Sequence, residues 1–589
     1  MTHWGQRNLF LGRHRRECAQ YDRSNEAERH RFAADFIERI ADTRNLMLAA
    51  EHLAENGDKA PGPNRQRLKR LLREDPNFVW QELRRLSRLI RTGTYRPNST
   101  RRVNVPKSSG RGTRPIDIFD WQDQVVQRAI VQILEAFIDR EFDELSLGYR
   151  TGHDRFEAIA RAGAIMKLGN RWVLVTADIS NAFSRIPHAL LLAEIERRTG
   201  NPQLTQLVDS IIRAENRCRG VAQGGSLSAL LLNLFLDQHL DRPWRRGQPD
   251  TPLIRVADDL LVICKSDEAE DCLVRLRNLL RPVGMELNES KTHTRHLGCA
   301  ETAEWLGFAL SQENGVLSVN LPSEFYTRAE RLIRRTMSEP DGVLRAAETV
   351  RGIFDQLGPC YPGTNHDEMY RHLASLAGMA GFNEFPEYGE LMGVWQRSAV
   401  RFQLQYRIWH MVYRRQIDTL TGFGSGSARS QSFPAFSAPT VRGDSSAVAS
   451  TFPPHAALTA TLTVTCVRPS NGVGGWAYHL QFLDQVRTQT RFEADDCRSQ
   501  IRLVLLAALN GVRQLDARYG VHIVTNSNYL CSEWRETFER CQNRSGQTEI
   551  GRTPANWDLF NALDRELSGR HVTYEFRSGM PPQFRTANG

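Results

Sequence analysis

Two short apolar segments of this chain run into acids: "WVLVTADI" carries Asp178, and "PLIRVADDLLVI" carries Asp258 and Asp259. Carboxylates seldom enter an apolar interior without a partner or a task. The length and β-branched content of the segments read as buried strands, so the fold must place these acids at strand ends. If the strands are neighbours, Asp178 and Asp258 bring hard oxygen ligands together, as around a Mg²⁺ ion that substrate phosphates complete. Asp259, next along a strand, points to the opposite face and reads as a weaker ligand or a turn residue. Taken singly, each acid reads better as the end of a strand at a turn.

A chain of 589 residues is too long for one hydrophobic core, and two to four domains are expected. Residues 1–99 hold apolar positions at helical spacing, among them Phe32, Phe36, Ile37, Ile40, Leu83, Leu86 and Leu89, and predict a helical region. Over 100–320 short apolar runs alternate with longer helical stretches, the pattern of a mixed α/β domain. Residues 321–420 return to helical periodicity rich in Arg and aromatics, ending in "RFQLQYRIWHMVYRRQ". The stretch 421–455 is dense in Ser, Gly, Ala and Pro without periodicity and reads as a flexible linker. Residues 456–589 then restart as a separate α/β domain: an alternating run, a Gly-rich turn over 472–475, a long apolar helix and a strand over 521–525.

Hydrophobic residues make up 40% and charged residues 25%, the balance of a water-soluble protein. No apolar run reaches the ~18 residues of a membrane span, and the N-terminus lacks the apolar stretch of a signal peptide. A cytoplasmic location without a membrane partner is expected. The ten cysteines form no CxxC pair or Cys/His cluster, so they read as reduced thiols. A net charge of +9 favours polyanionic partners. Arg is concentrated over 84–102 and 107–114, where its planar fork suits phosphate; a solvated basic face explains the same charge.

The acid-bearing segments have ordered company. Along the chain come "RRVNVPKSSGRGTRPIDIFDWQDQVVQRAI", "SLGYRTGHD", "ADISNAFSRIPH", "GVAQGGSLSALLLNLFL", "RVADDLLV", "GMELNESKT" and "AEWLGFAL". This succession resembles the reverse transcriptase family, in its bacterial group II intron-like, retron-like and defence-associated forms. The resemblance implies an α+β right-hand polymerase, with fingers and palm over 100–320 and a helical thumb over 321–420. It implies that Asp178, Asp258 and Asp259 are catalytic and bind two Mg²⁺ ions, with Mn²⁺ able to substitute. Lys107 and Arg114 would contact the incoming dNTP, Gln223 would lie under the templating pair, and Lys291 would add positive charge for the triphosphate. Phe183 falls where the family places a ring beneath the sugar, so that a 2′-hydroxyl clashes and deoxynucleotides are favoured. Plainer readings stand beside these: a core Phe183, a Gly-rich turn at Gly224 and Gly225, and three surface cations. Val256 stands where the family's double-Asp block most often has Tyr. It keeps strand propensity but loses an aromatic hydroxyl, which bears on fidelity or nucleotide affinity rather than on polymerisation.

The region 458–579 resembles the ribonuclease H fold in "NGVGGWAYHL", "RLVLLAALNGVRQL", "VHIVTNSNYLCSEW" and "GRTPANWDLFNALDRELSGRHVTYEFRSG". That enzyme needs clustered acids for two metals. Here Val464, Thr465 and Cys466 stand where an Asp is needed, Arg502 or Val504 where Glu is expected, and Asn526 at the strand-end Asp. Met580 takes the place of a loop His, and the sequence ends at Gly589 before a last Asp. No nuclease activity is expected, leaving a platform for duplex, RNA or self-assembly into a homo-oligomer, or a domain retained for stability. Together the resemblances imply an RNA-directed DNA polymerase that copies an RNA template, a dedicated noncoding RNA, into cDNA. Without a Cys/His endonuclease appendage, the chain sorts with compact bacterial enzymes, many of them in antiphage defence. The alternatives are an RNA-binding splicing or scaffolding protein, and a protein-primed or template-independent DNA polymerase.

Overall fold

Helix Pro76–Arg91 shows how the N-terminal region forms. The Asp75 side chain accepts a hydrogen bond from the Phe78 amide at 3.0 Å, and Pro76 occupies the first turn, where its missing N–H costs nothing. Val79, Leu83, Leu86 and Ile90 form the buried stripe, which leaves Arg84 and Arg88 exposed. The structure is a computed structural model that describes residues 3–20, 25–56, 60–106, 112–248, 250–339, 341–420, 459–470, 473–482, 488–495, 499–516, 519–527, 529–542, 547 and 553–576. The chain divides into two units, Met1–Ala162 with Arg171–Arg328, and Gly163–Asn170 with Ala329–Gly589.

In the first unit β1 (Arg101–Pro106) and β2 (Thr113–Ile118) form an antiparallel hairpin with Val103 opposite Ile116. A four-stranded antiparallel sheet follows, built from β3 (Val173–Asp178), β4 (Leu253–Val256), β5 (Asp259–Cys264) and β6 (His293–His296) in the order β4-β5-β3-β6. Every residue of β3 is buried, which explains its unbroken apolar run. Helices Trp121–Ile138 and Ser226–Leu236 contribute to the same core. Strands β7 (Ala303–Trp305), β8 (Phe308–Glu313) and β9 (Val316–Asn320) form a small meander. Its turns use Leu306-Gly307 and Asn314-Gly315, all four at positive φ, as two-residue hairpin turns demand.

One buried acid fixes the approach to β1. The Tyr95 hydroxyl donates to Asp123 Oδ1 at 2.7 Å, and the Asn98 amide donates to Oδ2 at 3.0 Å. Burial nevertheless pushes the Asp123 carboxyl from 3.8 up to about 6, against the pull of both hydrogen bonds. Between those pH values the unfolded chain has released this proton while the folded chain retains it. Stability from this group is therefore present below pH 3.8 and falls as pH rises towards 6, by about 3 kcal/mol. We expect Asp123→Asn to flatten that part of the curve of stability against pH, as denaturant titrations at stepped pH will show; an unchanged slope would exclude Asp123 as its source.

The second unit contains helices Gly342–Asp355, His366–Met379 and Tyr388–Leu420. It also contains a five-stranded sheet: β10 (Thr459–Ser470), β11 (Val473–Phe482), β12 (Thr488–Asp495), β13 (Gly520–Thr525) and β14 (Val572–Phe576). The order is β12-β11-β10-β13-β14; β12, β11 and β10 are antiparallel, and β13 and β14 run parallel to β10. Helix Gln500–Val512 buries Leu503, Val504 and Ala508 in a core with Leu462, Val464 and Tyr478. Gly511 lets that helix approach, since a Cβ there would lie 2.4 Å from Leu462 Cδ1. Helix Tyr388–Leu420 meets the sheet at Gly475, where a Cβ would lie 2.7 Å from Leu404 and 2.8 Å from Ile408. The expected linker over 421–455 and the sites of Met580 and Gly589 lie outside the described residues.

Candidate active site

Asp178 ends β3 directly opposite Asp259, the first residue of β5. Between β4 and β5 only Ala257 and Asp258 remain, a tight turn in which Ala257 adopts φ 61°. The two acid-bearing backbones are tied together. The Ile179 amide donates to Asp258 O at 3.0 Å, and the Asn288 amide donates to Asp178 O at 2.7 Å. The acids of "WVLVTADI" and "PLIRVADDLLVI" thus meet at one end of one sheet.

Charge at this sheet end is strongly coupled. Burial pushes the Asp258 carboxyl above its ordinary range, Asp178 adds to the rise, and Lys291 and Arg114 oppose it. Burial, then the Asp258 and Asp178 charges, push Asp259 up to about 6. Lys291 Nζ donates to Asp178 Oδ2 at 2.7 Å, and Asn288 Nδ2 lies 3.4 Å from Oδ1. Desolvation works to lower the Lys291 ammonium, but its hydrogen bond and ion pair with Asp178 prevail and raise it. A cation therefore already rests on Asp178. Among the described residues no three or more His, Cys, Asp or Glu cluster so as to hold a metal ion on their own. The donor set fits a hard divalent ion whose remaining ligands are phosphate and water, as Mg²⁺ prefers, rather than an all-protein cage.

Phe183 lies on the short helix Ala182–Arg185, which follows Asn181 at φ 50°. Its ring is buried in the main core, and its carbonyl accepts from the Val221 amide at 2.7 Å. Phe183 is thus part of the hydrophobic core. Gln223 O accepts from the Asp117 amide at 2.7 Å, which joins the "QGG" segment to β2. Gly224 at φ 117° leaves no room for a side chain, since a Cβ would stand 2.6 Å from Asp117 O. Arg114 is exposed on β2, opposite Val105. Its neighbours in charge are less free: Arg102 Nε and Arg217 Nη2 each donate to Asp117, both at 2.9 Å. Lys107 lies outside the described residues.

Sequence reasoning missed the support behind the turn. Arg255 of "RVADD" is wholly buried, with Nε and Nη2 on the two oxygens of Asp241 at 2.9 and 2.6 Å. Its Nη1 donates to Asn233 Oδ1 at 2.9 Å and to Ala257 O at 3.1 Å, and Nη2 also reaches Ser146 Oγ. All five guanidinium N–H groups are used, one of them on the carbonyl just before Asp258. Only the oddity of Arg inside an apolar strand hinted at this.

Asp178, Asp258 and Asp259 thus share one sheet end with Lys291, within electrostatic reach of Arg114 on the β1-β2 hairpin. Residues 105–310 match the family described as reverse transcriptase (RNA-dependent DNA polymerase), and the chain carries a reverse transcriptase domain of the group II intron type. Protein YkfC of Escherichia coli (strain K12) is 28% identical over 264 residues, 37% of this chain and 68% of that protein. Group II intron-encoded protein LtrA of Lactococcus lactis subsp. cremoris is 29% identical over 172 residues, 27% of this chain and 28% of that protein. The chain thus spans about a quarter of this intron-encoded relative. Ribonuclease H of Thermus thermophilus is 31% identical over 109 residues, 18% of this chain and 64% of that protein. Among the described residues no helix is long and apolar enough to cross a membrane.

Proposed function

We propose that this chain is an RNA-directed DNA polymerase whose site is Asp178, Asp258 and Asp259, with Lys107, Arg114, Phe183, Gln223 and Lys291 around the nucleotide. The carrying observation is the junction of β3 with the β4-β5 turn, where Asp178 and Asp258 share one sheet end with Lys291. Asp178 and Asp258, assisted by Asp259, would hold Mg²⁺, which when bound activates the primer 3′-hydroxyl and stabilises the leaving pyrophosphate. The protein's own groups orient the reaction. Arg114 offers a guanidinium fork to the triphosphate, and Lys291 leaves Asp178 to follow the developing phosphate charge. Phe183 rejects the ribose 2′-hydroxyl by volume, while Gly224 lets nucleotide and template approach the backbone.

In this reading residues 1–99 are a helical N-terminal region, 100–320 fingers and palm, 321–420 the thumb, 421–455 a linker and 456–589 a ribonuclease H-like domain without its chemistry. The strand order of the five-stranded sheet and the 31% identity to ribonuclease H support the fold assignment. Val464 and Cys466 face its apolar core, Thr465 is buried, and Arg502 donates to Asp558 at 2.8 Å, so no metal-binding acid stands at these positions. We expect no cleavage of a labelled RNA–DNA hybrid above background with either Mg²⁺ or Mn²⁺; specific cleavage that survives Asp258→Ala would overturn this.

The finer reading is that the template is a dedicated noncoding RNA and the pathway antiphage defence in the cytoplasm, and it draws on resemblance to compact bacterial reverse transcriptases. The intron-encoded relatives favour a second reading, an RNA-binding splicing protein. Sequencing the DNA and RNA bound to the purified chain separates them. The first requires cDNA complementary to a defined co-purifying RNA; the second requires intron RNA without a DNA copy. DNA with no complementary RNA would instead indicate untemplated synthesis.

A further inference from the structure

Tyr149, in the "SLGYRTGHD" block, is an exposed aromatic held in an uncommon conformation beside the site. It is 59% exposed, and its backbone lies at φ 57°, a region that residues other than Gly, Asn and Asp seldom enter. Both neighbours are fixed. Gly148 O accepts from Asn233 Nδ2 at 2.6 Å, and a Cβ on Gly148 would lie 2.0 Å from the Ala257 amide nitrogen. This segment is therefore pressed against the turn that carries Asp258. On the other side Arg150 donates from Nε to Asp139 Oδ1 at 2.7 Å and from Nη1 to Asp143 O at 2.9 Å.

These clamps keep Tyr149 in its left-handed conformation and set its ring edge-on to Phe183, with centroids 6.1 Å apart and planes at 71°. Such conformations persist where surrounding structure over-determines them, and they cluster at ligand sites. The phenol also feels the opposed charges of Asp258 and Arg114, the two groups expected on either side of a nucleotide. Val256 has left the double-Asp segment without an aromatic side chain. Tyr149 supplies one to the same sheet end from a different stretch of chain.

We infer that Tyr149 is a nucleotide-contacting residue whose ring, together with Phe183, walls the sugar pocket for the incoming deoxynucleoside triphosphate. The inference rests on the polymerase reading of Asp178 and Asp258. The test uses the full chain with Mg²⁺ and measures equilibrium binding of dGTP and GTP alongside single-nucleotide primer extension. Tyr149→Ala is expected to weaken dGTP binding roughly tenfold and to lower the preference for dGTP over GTP by a similar factor, the scale of one lost aromatic contact. The effect should fall on KM more than on kcat, with an unchanged melting temperature. Tyr149→Phe should recover most of the loss. An Ala variant with unaltered dGTP affinity and unaltered sugar preference overturns the assignment, and so does a Phe variant as impaired as the Ala variant. Unsubstituted chain that binds dGTP yet extends no primer overturns the polymerase reading alone, since the binding comparison still decides Tyr149. Chain that binds neither nucleotide overturns both.

Discussion

Asp258→Ala is expected to reduce RNA-templated primer extension by on the order of 10³-fold or more while leaving the melting temperature unchanged or raised. The two effects part because Asp258 is costly to the fold. Its carboxyl is pushed up by burial and by the neighbouring Asp178, and it in turn helps push Asp259 up to about 6. Removing the charge relieves that repulsion. The hydrogen bond from the Ile179 amide to residue 258 uses only the main chain and survives the change. Stability is thus preserved while the carboxylate proposed to hold the metal is lost. Primer extension on a defined RNA template, with calorimetry of the same preparations, checks both halves. Extension within tenfold of the unsubstituted chain would remove Asp258 from the chemistry. A biological phenotype that outlives DNA synthesis would favour the RNA-binding reading instead.

The sequence makes the sheet legible because both acid-bearing strands are short, apolar and β-branched, and because β3 is buried throughout. Within "AEWLGFAL" the turn between β7 and β8 consists of Leu306 and Gly307 alone, both at positive φ. Partners were not legible. The resemblance gives Lys291 a role as a charge for the triphosphate, but not its contact with Asp178, a residue distant in sequence. Arg102 fitted a phosphate contact by composition, but one of its N–H groups is engaged by Asp117 across the hairpin. Periodicity tells which face of an element is apolar; it does not say which acid, far along the chain, will meet an Arg or a Lys. Phe183 admits both a core reading and a site reading from sequence; it is buried in the core, with its ring edge-on to the exposed Tyr149.

Arg255 carries the other large effect. Arg255→Met leaves Asp241 as an uncompensated buried acid and should cost about 3–5 kcal/mol of stability. Burial already pushes the Asp241 carboxyl up despite the charge and hydrogen bonds of Arg255, so without that partner it must take up a proton or draw in water. Stability alone does not explain an ion pair at this depth, since apolar replacement of both partners is often neutral or better. The double variant Arg255→Met with Asp241→Leu should accordingly regain most of the lost stability. What it does not regain is the donor to Ala257 O, held at 3.1 Å by the same guanidinium that grips Asp241. The Ala257-Asp258 turn then keeps its strands but loses the bond that fixes its carbonyl, and small misplacements of a reacting group are expensive. Denaturant unfolding and primer extension measured on both variants should therefore diverge, with stability restored and extension still depressed by about tenfold to a hundredfold. Full activity in the restored double variant would reduce Arg255 to a packing residue and leave the turn to hold itself.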